Sequence, residues 1–311
     1  MIEKKLLDAL KPYRKKRLVL GFSGGADSMA LFKALVAIRQ PFVAAHVDHG
    51  WRDSSRLEAE NLHKIACEHN IPFYLKTLKI SEYKGNLEAS ARRFRLNFFK
   101  EVLEKTSSTA VLLAHHADDL AETTLKKLFE GAFLPNLGSM TKAVEIEGVL
   151  VLRPFLCFAK EELLNYLGKN FYVDDTTNLS PRFLRGRLRS TLIPYLSKTF
   201  GKNVSSAFVS LSDEALELKG FLAEALKAYA PKKDQGKAVY DLTSAPHPYL
   251  LKKVVENAFR EAEIPVRKKE IHALSEAILE KRKGFQRTIG HKTLIADGGK
   301  LIAPLNPHVL N

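Results

Sequence analysis

A glycine-rich segment near the start of the chain has the composition of a phosphate-binding loop. It reads Ser23-Gly24-Gly25-Ala26-Asp27-Ser28. Glycines let a backbone approach a ligand closely, and the N–H groups that open a helix attract phosphate oxygens. The two serine hydroxyls add donors, and we expect Asp27 to reach the phosphates through a bridging Mg²⁺ ion. The spacing GxxxxGK[ST] is absent, so the segment differs from the Walker loop.

Two further polar segments could take part in the same chemistry. One is His46-Val47-Asp48-His49-Gly50, and the other carries His115, Asp118, Asp119 and Glu122. The members of the second group are spaced so that they share one face of a helix, where clustered carboxylates can hold an ammonium group or Mg²⁺. The HExxH pattern of zinc hydrolases is absent. A purely structural role in the core stays open for His115 and His116.

Alternating apolar runs and helical patterns predict the elements that position these residues. We expect strands at 18–22, 42–47, 73–78 and 110–114, and helices at 29–38, 54–69, 87–104 and 118–130. Strands that alternate with helices favour an α/β fold, a parallel sheet with helices on both faces. Ligands bind such sheets at the carboxyl ends of the strands. The predicted loop and both histidine segments lie at such ends.

The sequence pattern in the last third of the chain predicts a smaller α+β unit. A long helix is expected at about 204–226, followed by helices at 247–263 and 267–282 and short strands at 286–289, 293–296 and 300–303. Asp297-Gly298-Gly299 is a hairpin-turn signal. We therefore predict a catalytic domain over residues 1–216, ending in a helical linker at about 200–216. Residues 217–311 would form a basic domain that binds a polyanion.

Composition and charge agree with a soluble enzyme that has a polyanionic partner. The chain has 311 residues, enough for two domains, and a net charge of +14. Residues 217–311 hold 17 Lys and Arg against 11 Asp and Glu, a net charge of +6, which fits either a polyanionic partner such as nucleic acid or plain solubility. Neither a membrane-length apolar run nor a signal-peptide pattern is present, so a cytoplasmic location is the default expectation. We expect the two cysteines, Cys67 and Cys157, to be buried apolar residues.

The loop resembles that of the N-type ATP pyrophosphatases, the PP-loop superfamily. Four further motifs, in order, resemble the tRNA(Ile)-lysidine synthetase family over roughly residues 15–200. They are His46–Arg52, Glu88–Arg95, Leu113–Thr123, and the pair Asp175–Asn178 with Phe183–Arg189. Trp51 stands where that family usually has Leu, and Arg185-Gly186 where it usually has Arg-Asn.

The resemblance implies both the reaction and the partners. ATP would adenylate the C2 oxygen of the wobble cytidine (position 34) in a tRNA(Ile) with a CAU anticodon, releasing pyrophosphate. The ε-amine of free L-lysine would then displace AMP and give lysidine. ATP and Mg²⁺ are the expected cofactors, and a homodimer is a further expectation from the family.

The resemblance also gives roles to single residues, and some plainer alternatives stay open. Arg92, Arg93 and the run Arg182–Arg189 could lie on solvated surface, and Asp174 and Asp175 could only cap a turn. The expected catalytic residues are Asp27, His115, Asp118, Asp119, Glu122 and Arg185. ATP would contact Ser23, Gly24, Gly25, Ala26, Asp27, Ser28 and His46; lysine or cytosine would contact Asp48, His49, Arg92 and Arg95; tRNA would contact Arg187, Arg189, Lys281, Arg282 and Lys283.

Three rival functions can be weighed on the sequence. A PP-loop tRNA thiolase activates the same cytosine position, but it needs cysteines for a persulfide or an iron–sulfur cluster, and Cys67 and Cys157 are far apart. A PP-loop synthetase for a small metabolite does not need the basic C-terminal residues. A tRNA-binding protein without catalytic activity does not need an intact Ser23–Ser28 loop.

Overall fold

The computed structural model describes residues 1–50, 55–78, 87–138, 140–168, 184–244 and 246–305. The motif residues Trp51, Arg52, Asp174–Asn178, Arg182 and Phe183 lie outside these ranges. The chain divides into two compact units, Met1–Leu216 and Glu217–Asn311, and the helix Ser205–Leu226 crosses this division. Within the described ranges, no helix combines the length and the apolar character that crossing a membrane requires.

The N-terminal unit alternates strands and helices, as predicted. Its strands are β1 (Leu18–Gly21), β2 (Phe42–Asp48), β3 (Phe73–Thr77), β4 (Val111–Leu112), β5 (Ala143–Ile146) and β6 (Val149–Leu152). Its helices are α1 (Ile2–Ala9), α2 (Ala26–Ala37), α3 (Ser55–Glu68), α4 (Leu87–Thr106), α5 (Ala117–Phe129), α6 (Lys160–Leu167), α7 (Leu184–Arg187) and α8 (Ile193–Phe200), followed by α9 (Ser205–Leu226). Short 3₁₀ turns lie at Lys11–Tyr13 and Leu134–Asn136, and a π-helical turn at Leu188–Leu192.

The six strands form one mostly parallel sheet in the order β3-β2-β1-β4-β6-β5. Five of them are parallel, and only the edge strand β5 is antiparallel to its neighbour β6. The β5–β6 hairpin was not predicted. Its two-residue turn, Glu147-Gly148, has φ of 50° and 78°, and it differs from the Asn-Gly or Asp-Gly pairs that usually mark such turns.

Helices cover both faces of this sheet, which confirms the predicted α/β class. Alternate residues of the buried strands point to opposite faces: Leu18 and Leu20 join α1, α2 and α6 on one face, whereas Val19 packs with Phe98 of α4 on the other. Burial of each such side chain contributes roughly 1.5–3 kcal/mol of transfer free energy. The apolar runs in the sequence therefore both form the strands and attach the helices.

The strand order places a crevice at the carboxyl ends of β1 and β4. From β1 the chain builds β2 and β3 on one side of the sheet, and it then returns to add β4 and β6 on the other. At such a switch point the loops after the two central strands leave in opposite directions and open a binding crevice. Here those loops begin at Phe22 and at Leu113, so they carry the predicted phosphate loop and the His115 segment.

The C-terminal unit is α+β, with a five-stranded antiparallel sheet in the order β7-β8-β11-β10-β9. The strands are β7 (Lys232–Asp234), β8 (Lys237–Asp241), β9 (Phe285–Ile289), β10 (Lys292–Asp297) and β11 (Lys300–Pro304), and the helices are α10 (Pro248–Glu261) and α11 (Lys268–Leu279). A 3₁₀ turn, Lys227–Tyr229, precedes β7. The meander β9–β10–β11 and its turn at Gly298-Gly299 were predicted; β7 and β8 were not.

Two local expectations were wrong. Helix α2 begins at Ala26, so Asp27 and Ser28 belong to its first turn rather than to the loop before it. Cys67 and Cys157 are both exposed free thiols although their neighbours Ala66 and Phe158 are buried. Adjacent residues point in different directions, so apolar neighbours do not place a cysteine in the core.

The central strand β4 gives a test of this architecture. Leu112 is fully buried, whereas Leu75 on β3 is 48% exposed. We expect Leu112→Ala to lower the free energy of unfolding by about 2–5 kcal/mol, because it leaves a cavity in the core. The matched change Leu75→Ala should cost less than about 1 kcal/mol. Urea unfolding of the two variants measures the difference, and equal losses would contradict the described sheet.

Candidate functional site

The phosphate loop is held by a network around the buried hydroxyl of Ser28. This hydroxyl donates to the Gly25 carbonyl at 3.0 Å and accepts from the Gly24 N–H at 3.0 Å and from the Ser23 hydroxyl at 3.2 Å. The hydroxyls of Ser28 and Ser23 thus both donate within the loop, and they differ in that Ser28 is buried whereas Ser23 is exposed. The ATP contact expected for Ser28 stays a prediction.

The two loop glycines differ in why they are needed. Gly24 has φ of +83°, and a Cβ there would come within 3.3 Å of Leu62, so the fold itself requires glycine. Gly25 has an ordinary φ of −68°, and its Cβ would meet only the Ser23 hydroxyl, at 3.8 Å. The fold tolerates a side chain at Gly25, which indicates that the space there serves the approach of a ligand.

Three helix N-termini meet beside this loop. Asp27 lies in the first turn of α2, Asp118 in the first turn of α5, and Lys160 is the first residue of α6. Lys160 joins them: its Nζ lies 2.6 Å from Asp27 Oδ1, and its backbone N–H donates to Asp118 Oδ2 at 2.8 Å. Helix N-termini carry partial positive charge, so their convergence favours a bound polyphosphate.

His116 lies at the centre of these carboxylates and is only 2% exposed. Its ring nitrogens are 3.6 Å from Asp27, 3.5 Å from Asp118 and 3.4 Å from Asp119. Burial lowers the pKa of His116, but the close contact with Asp118 and the charges of Asp119 and Asp27 raise it overall. The imidazolium therefore balances carboxylates that would otherwise repel one another.

The pH range over which this cluster stabilises the fold follows from two pKa shifts. The close contact with His116 lowers the pKa of Asp118 to about 2. The contribution of Asp118 to stability is therefore complete above its unfolded pKa of about 4 and is lost as the pH falls through 2. The stabilisation that results from the raised pKa of His116 is complete below its unfolded pKa of about 6.5, and it is lost as the pH rises through its folded pKa. Both contributions are complete between about pH 4 and 6.5.

Two carboxylates of α5 hold a guanidinium. Arg189, in the π-helical turn, lies 2.6 Å from Asp119 Oδ1 and 3.0 Å from Glu122 Oε2, and Arg185 Nε lies 3.6 Å from Glu122 Oε1. Burial raises the pKa of Glu122 despite the charge of Arg189. Burial also raises the pKa of Asp119, but His116 and Arg189 lower it overall. Three of the four residues predicted to share a helix face therefore lie on α5, and two of these, Asp119 and Glu122, hold Arg189. The prediction was wrong for His115, which precedes the helix because α5 begins at Ala117.

A cavity of about 420 Å³ opens beside Glu122 and Arg189. It combines acidic, basic, apolar and hydroxyl groups, which suits a ligand that has both a charged and an aliphatic part. Its lining residues are Asp118, Glu122, Arg189, Ile193, Pro194, Ser197, Asn203 and Ser205.

The residues after β2 are held in place by local hydrogen bonds. His46 Nδ1 lies 2.7 Å from the Phe22 carbonyl, which can only accept, so this nitrogen carries the proton. Asp48 Oδ1 accepts the Gly50 N–H at 2.8 Å. Both side chains thus support the shape of the crevice, and the ligand contacts expected for them stay predictions.

Two histidines at the strand ends are neutral at pH 7. Burial, together with the nearby charge of Arg95, lowers the pKa of His49 to about 4. Burial also lowers the pKa of His115 to about 4, and Arg153 and Arg95 add to this effect. Within the part of the chain that the structure describes, the buried Nδ1 of His115 has no hydrogen-bond partner. The structure therefore brings the predicted residues Arg95, His49 and His115 to one place.

The residues predicted to contact tRNA, apart from Arg189, are exposed within their own units. Arg187 is exposed on α7, and Lys281, Arg282 and Lys283 are exposed in the turn after α11. The sequence analysis missed Lys160 and Arg153. Lys160 looks like an ordinary surface residue in a run of charges, and Arg153 follows the strand β6 that was not predicted.

Asp27 remains the candidate metal-binding residue. Within the described ranges, no group of three or more His, Cys, Asp or Glu is arranged to hold a metal ion. Mg²⁺ bound to a nucleotide usually takes one or two carboxylates together with the phosphates and water. A single carboxylate in the first turn of α2, beside the phosphate loop, fits that requirement.

Residues 1–196 match the family described as a PP-loop domain, and the chain belongs to this family. It is 40% identical over 211 residues to the tRNA(Ile)-lysidine synthase of Chlamydia pneumoniae, a match that covers 67% of the chain and 66% of the relative. It is 34% identical over 310 residues to that of Protochlamydia amoebophila, covering 93% of the chain and 66% of the relative. The chain thus spans just under two thirds of the length of these relatives.

A solved structure supports the fold alone. The U34-tRNA thiolase NcsA from Methanococcus maripaludis, with its [4Fe-4S] cluster, superposes with a TM-score of 0.57 at 17% identity. The match covers 70% of this chain and 78% of that one. Identity this low carries no argument about substrate.

The contrast between the two loop glycines gives a second test. We expect Gly25→Ala to keep the thermal stability of the wild type and to weaken binding of a non-hydrolysable ATP analogue at least about tenfold, or about 1.4 kcal/mol. The matched control Gly24→Ala should cost about 1–2 kcal/mol of stability because of its positive φ. Thermal unfolding and calorimetric titration measure both effects. Full nucleotide affinity in Gly25→Ala would show that the loop does not closely approach the phosphates.

Proposed function

We propose that this chain is an ATP-dependent ligase that joins lysine to C2 of the wobble cytidine of tRNA(Ile) with a CAU anticodon. The observation that carries the proposal is one crevice with two kinds of charge. Three helix N-termini favour a polyphosphate on one side, and on the other lie the carboxylates of Asp119 and Glu122, paired with the guanidinium of Arg189. The relatives named tRNA(Ile)-lysidine synthase support the choice of substrate.

In the first step the cytidine C2 oxygen attacks the α-phosphorus of ATP, and pyrophosphate leaves. The backbone N–H groups of the Ser23 loop and the start of α2 hold the β- and γ-phosphates. Lys160 can turn its ammonium from Asp27 to the departing pyrophosphate, because a partly exposed ion pair is worth only about 0–1 kcal/mol. Asp27 would hold Mg²⁺, which when bound neutralises phosphate charge.

In the second step the ε-amine of lysine attacks C2, and AMP leaves. Lysine has a pKa of about 10.4, so only about one molecule in 10³ to 10⁴ has a neutral amine at pH 7. Glu122 is the best proton acceptor beside the cavity, because burial raises its pKa whereas that of Asp118 is lowered. The aliphatic chain of lysine would pack along Ile193 and Pro194, which line the cavity.

The basic C-terminal unit is the proposed contact surface for tRNA. Its net charge of +6 and the exposed run Lys281–Lys283 suit the phosphate backbone, and Arg187 would add a contact from the N-terminal unit. A homodimer rests on the family resemblance alone. The proposed site of action is the cytoplasm, where ATP, lysine and tRNA occur together.

The thiolase alternative is disfavoured by its requirement for sulfur chemistry. An iron–sulfur cluster is held by several cysteine thiolates. This chain has two cysteines, Cys67 on α3 and Cys157 after β6, and both are exposed. These two residues do not supply the ligands of a cluster.

A reaction with ATP, labelled lysine and a tRNA(Ile) transcript tests the proposal. We expect label to pass to the tRNA with release of AMP and pyrophosphate. Glu122→Gln should lower lysine transfer at least about 100-fold, the usual range for loss of a general base, while pyrophosphate release persists. The exposed Glu130, directly after the same helix, is the control, and Glu130→Gln should keep the wild-type rate. If the folded wild-type chain transferred no label, the lysine assignment would be wrong.

A second experiment tests the tRNA surface. Changing Lys281, Arg282 and Lys283 together to Ala should weaken tRNA binding and reduce the slope of log affinity against log salt by up to about two. Binding of the ATP analogue should not change. Lys15→Ala and Lys64→Ala remove exposed lysines of the N-terminal unit and serve as controls. An unchanged slope in the triple variant would remove this run from the contact surface.

A further inference from the structure

Arg153 is a buried arginine that pairs with no carboxylate of the described ranges. It follows β6 directly and is 7% exposed. Its Nη1 donates to the Thr141 carbonyl at 2.9 Å, and its buried Nε has no hydrogen-bond partner among the described residues. None of the ion pairs in the described ranges involves Arg153. A buried guanidinium normally pairs with a carboxylate or another anion.

Arg153 lies at the same edge of the sheet as the candidate site. Strand β6 is parallel to β4 and pairs Leu152 with Leu112, so Arg153 and the segment that carries His115 leave the sheet side by side. Helix α4 packs on the sheet through Phe98 and Phe99. Arg92 and Arg95 lie near the start of this helix.

The charge of Arg92, which acts on Arg153, has the same sign as that of Arg153. Burial lowers the pKa of Arg153, and the charge of Arg92 lowers it further. Arg153 and Arg95 in turn act together on His115. Like charges at close range cost free energy, and an arriving anion would offset that cost.

We propose that Arg153, together with Arg92 and Arg95, forms a binding site for a phosphate oxyanion next to His115. The planar guanidinium matches the geometry of phosphate oxygens. The site is distinct from the pyrophosphate loop, because α2 packs on one face of the sheet and α4 on the other. The anion is either the α-phosphate of the nucleotide or a phosphodiester of the RNA beside the reacting base. This inference rests on the proposed function for the identity of those ligands.

Two binding measurements test the site and distinguish the two sources. The probes are α,β-methylene ATP and an anticodon stem-loop RNA with the sequence CAU, each titrated into the full chain without lysine. Arg153→Met should weaken the binding of one probe at least about tenfold, and Arg92→Met or Arg95→Met at least about threefold. Loss of affinity for the ATP analogue assigns the site to the α-phosphate. Loss of affinity for the RNA, with a smaller slope of log affinity against log salt, assigns it to a phosphodiester. The control is Arg93→Met, an exposed neighbour on α4, which should stay within about twofold.

The affinities of the variants show whether Arg153 and its neighbours bind a phosphate. Unchanged affinity for both probes in folded Arg153→Met and Arg92→Met would overturn it. If Arg153→Met failed to fold, as judged by circular dichroism, the probe affinities of Arg92→Met and Arg95→Met, at exposed positions, would test the site alone. Lysine transfer by the wild type is measured in parallel. A chain that transferred no lysine but bound a probe through Arg153 would refute the proposed function and leave this site standing.

Discussion

The contact between Lys160 and Asp27 links the parts of the N-terminal unit on which the account depends. It joins α6 to α2, and the Lys160 backbone N–H joins α6 to Asp118 of α5. The ion pair is partly exposed and so contributes little to stability; its importance is geometric. It brings three helix N-termini to the switch point of a parallel sheet, where their partial charges act on one ligand. Because the pair is weak, a phosphate can replace it at little cost.

The opposite charges of the crevice are kept apart by His116. On the loop side, helix N-termini and Lys160 favour phosphate; on the cavity side, Asp119 and Glu122 favour a cation. Without the buried imidazole, the carboxylates of Asp27, Asp118 and Asp119 would face one another at short range and repel. The same arrangement suits two successive reactions at one base, in which a polyphosphate leaves first and an amine enters second. The PP-loop family match over residues 1–196 agrees with this separation of a phosphate side from a cavity side, because the phosphate loop is the part that members of the family share.

Much of the fold could be predicted from the sequence, and the reasons for success and failure are local. Strands β1 and β2 are continuous apolar runs, and the meander around Gly298-Gly299 has a recognisable turn, so pattern alone identified them. The β5–β6 hairpin turns on Glu147-Gly148, which carries a weaker signal. Lys160 and Arg153 acquire their character only from the tertiary structure: one becomes the bridge between helices, the other a buried cation that pairs with no carboxylate of the described ranges. Ser28 was expected to meet phosphate, but its proton is already committed to the Gly25 carbonyl.

The central claim is that the helix N-termini and the Ser23 loop hold the β- and γ-phosphates so that the α-phosphorus is attacked. The most direct measurement follows the products of ATP labelled at the α-phosphate, incubated with the chain, lysine and tRNA(Ile). The account predicts that labelled AMP and unlabelled pyrophosphate form in equal amounts. Formation of labelled ADP with inorganic phosphate would mean that the γ-phosphorus is attacked instead, and it would contradict the account.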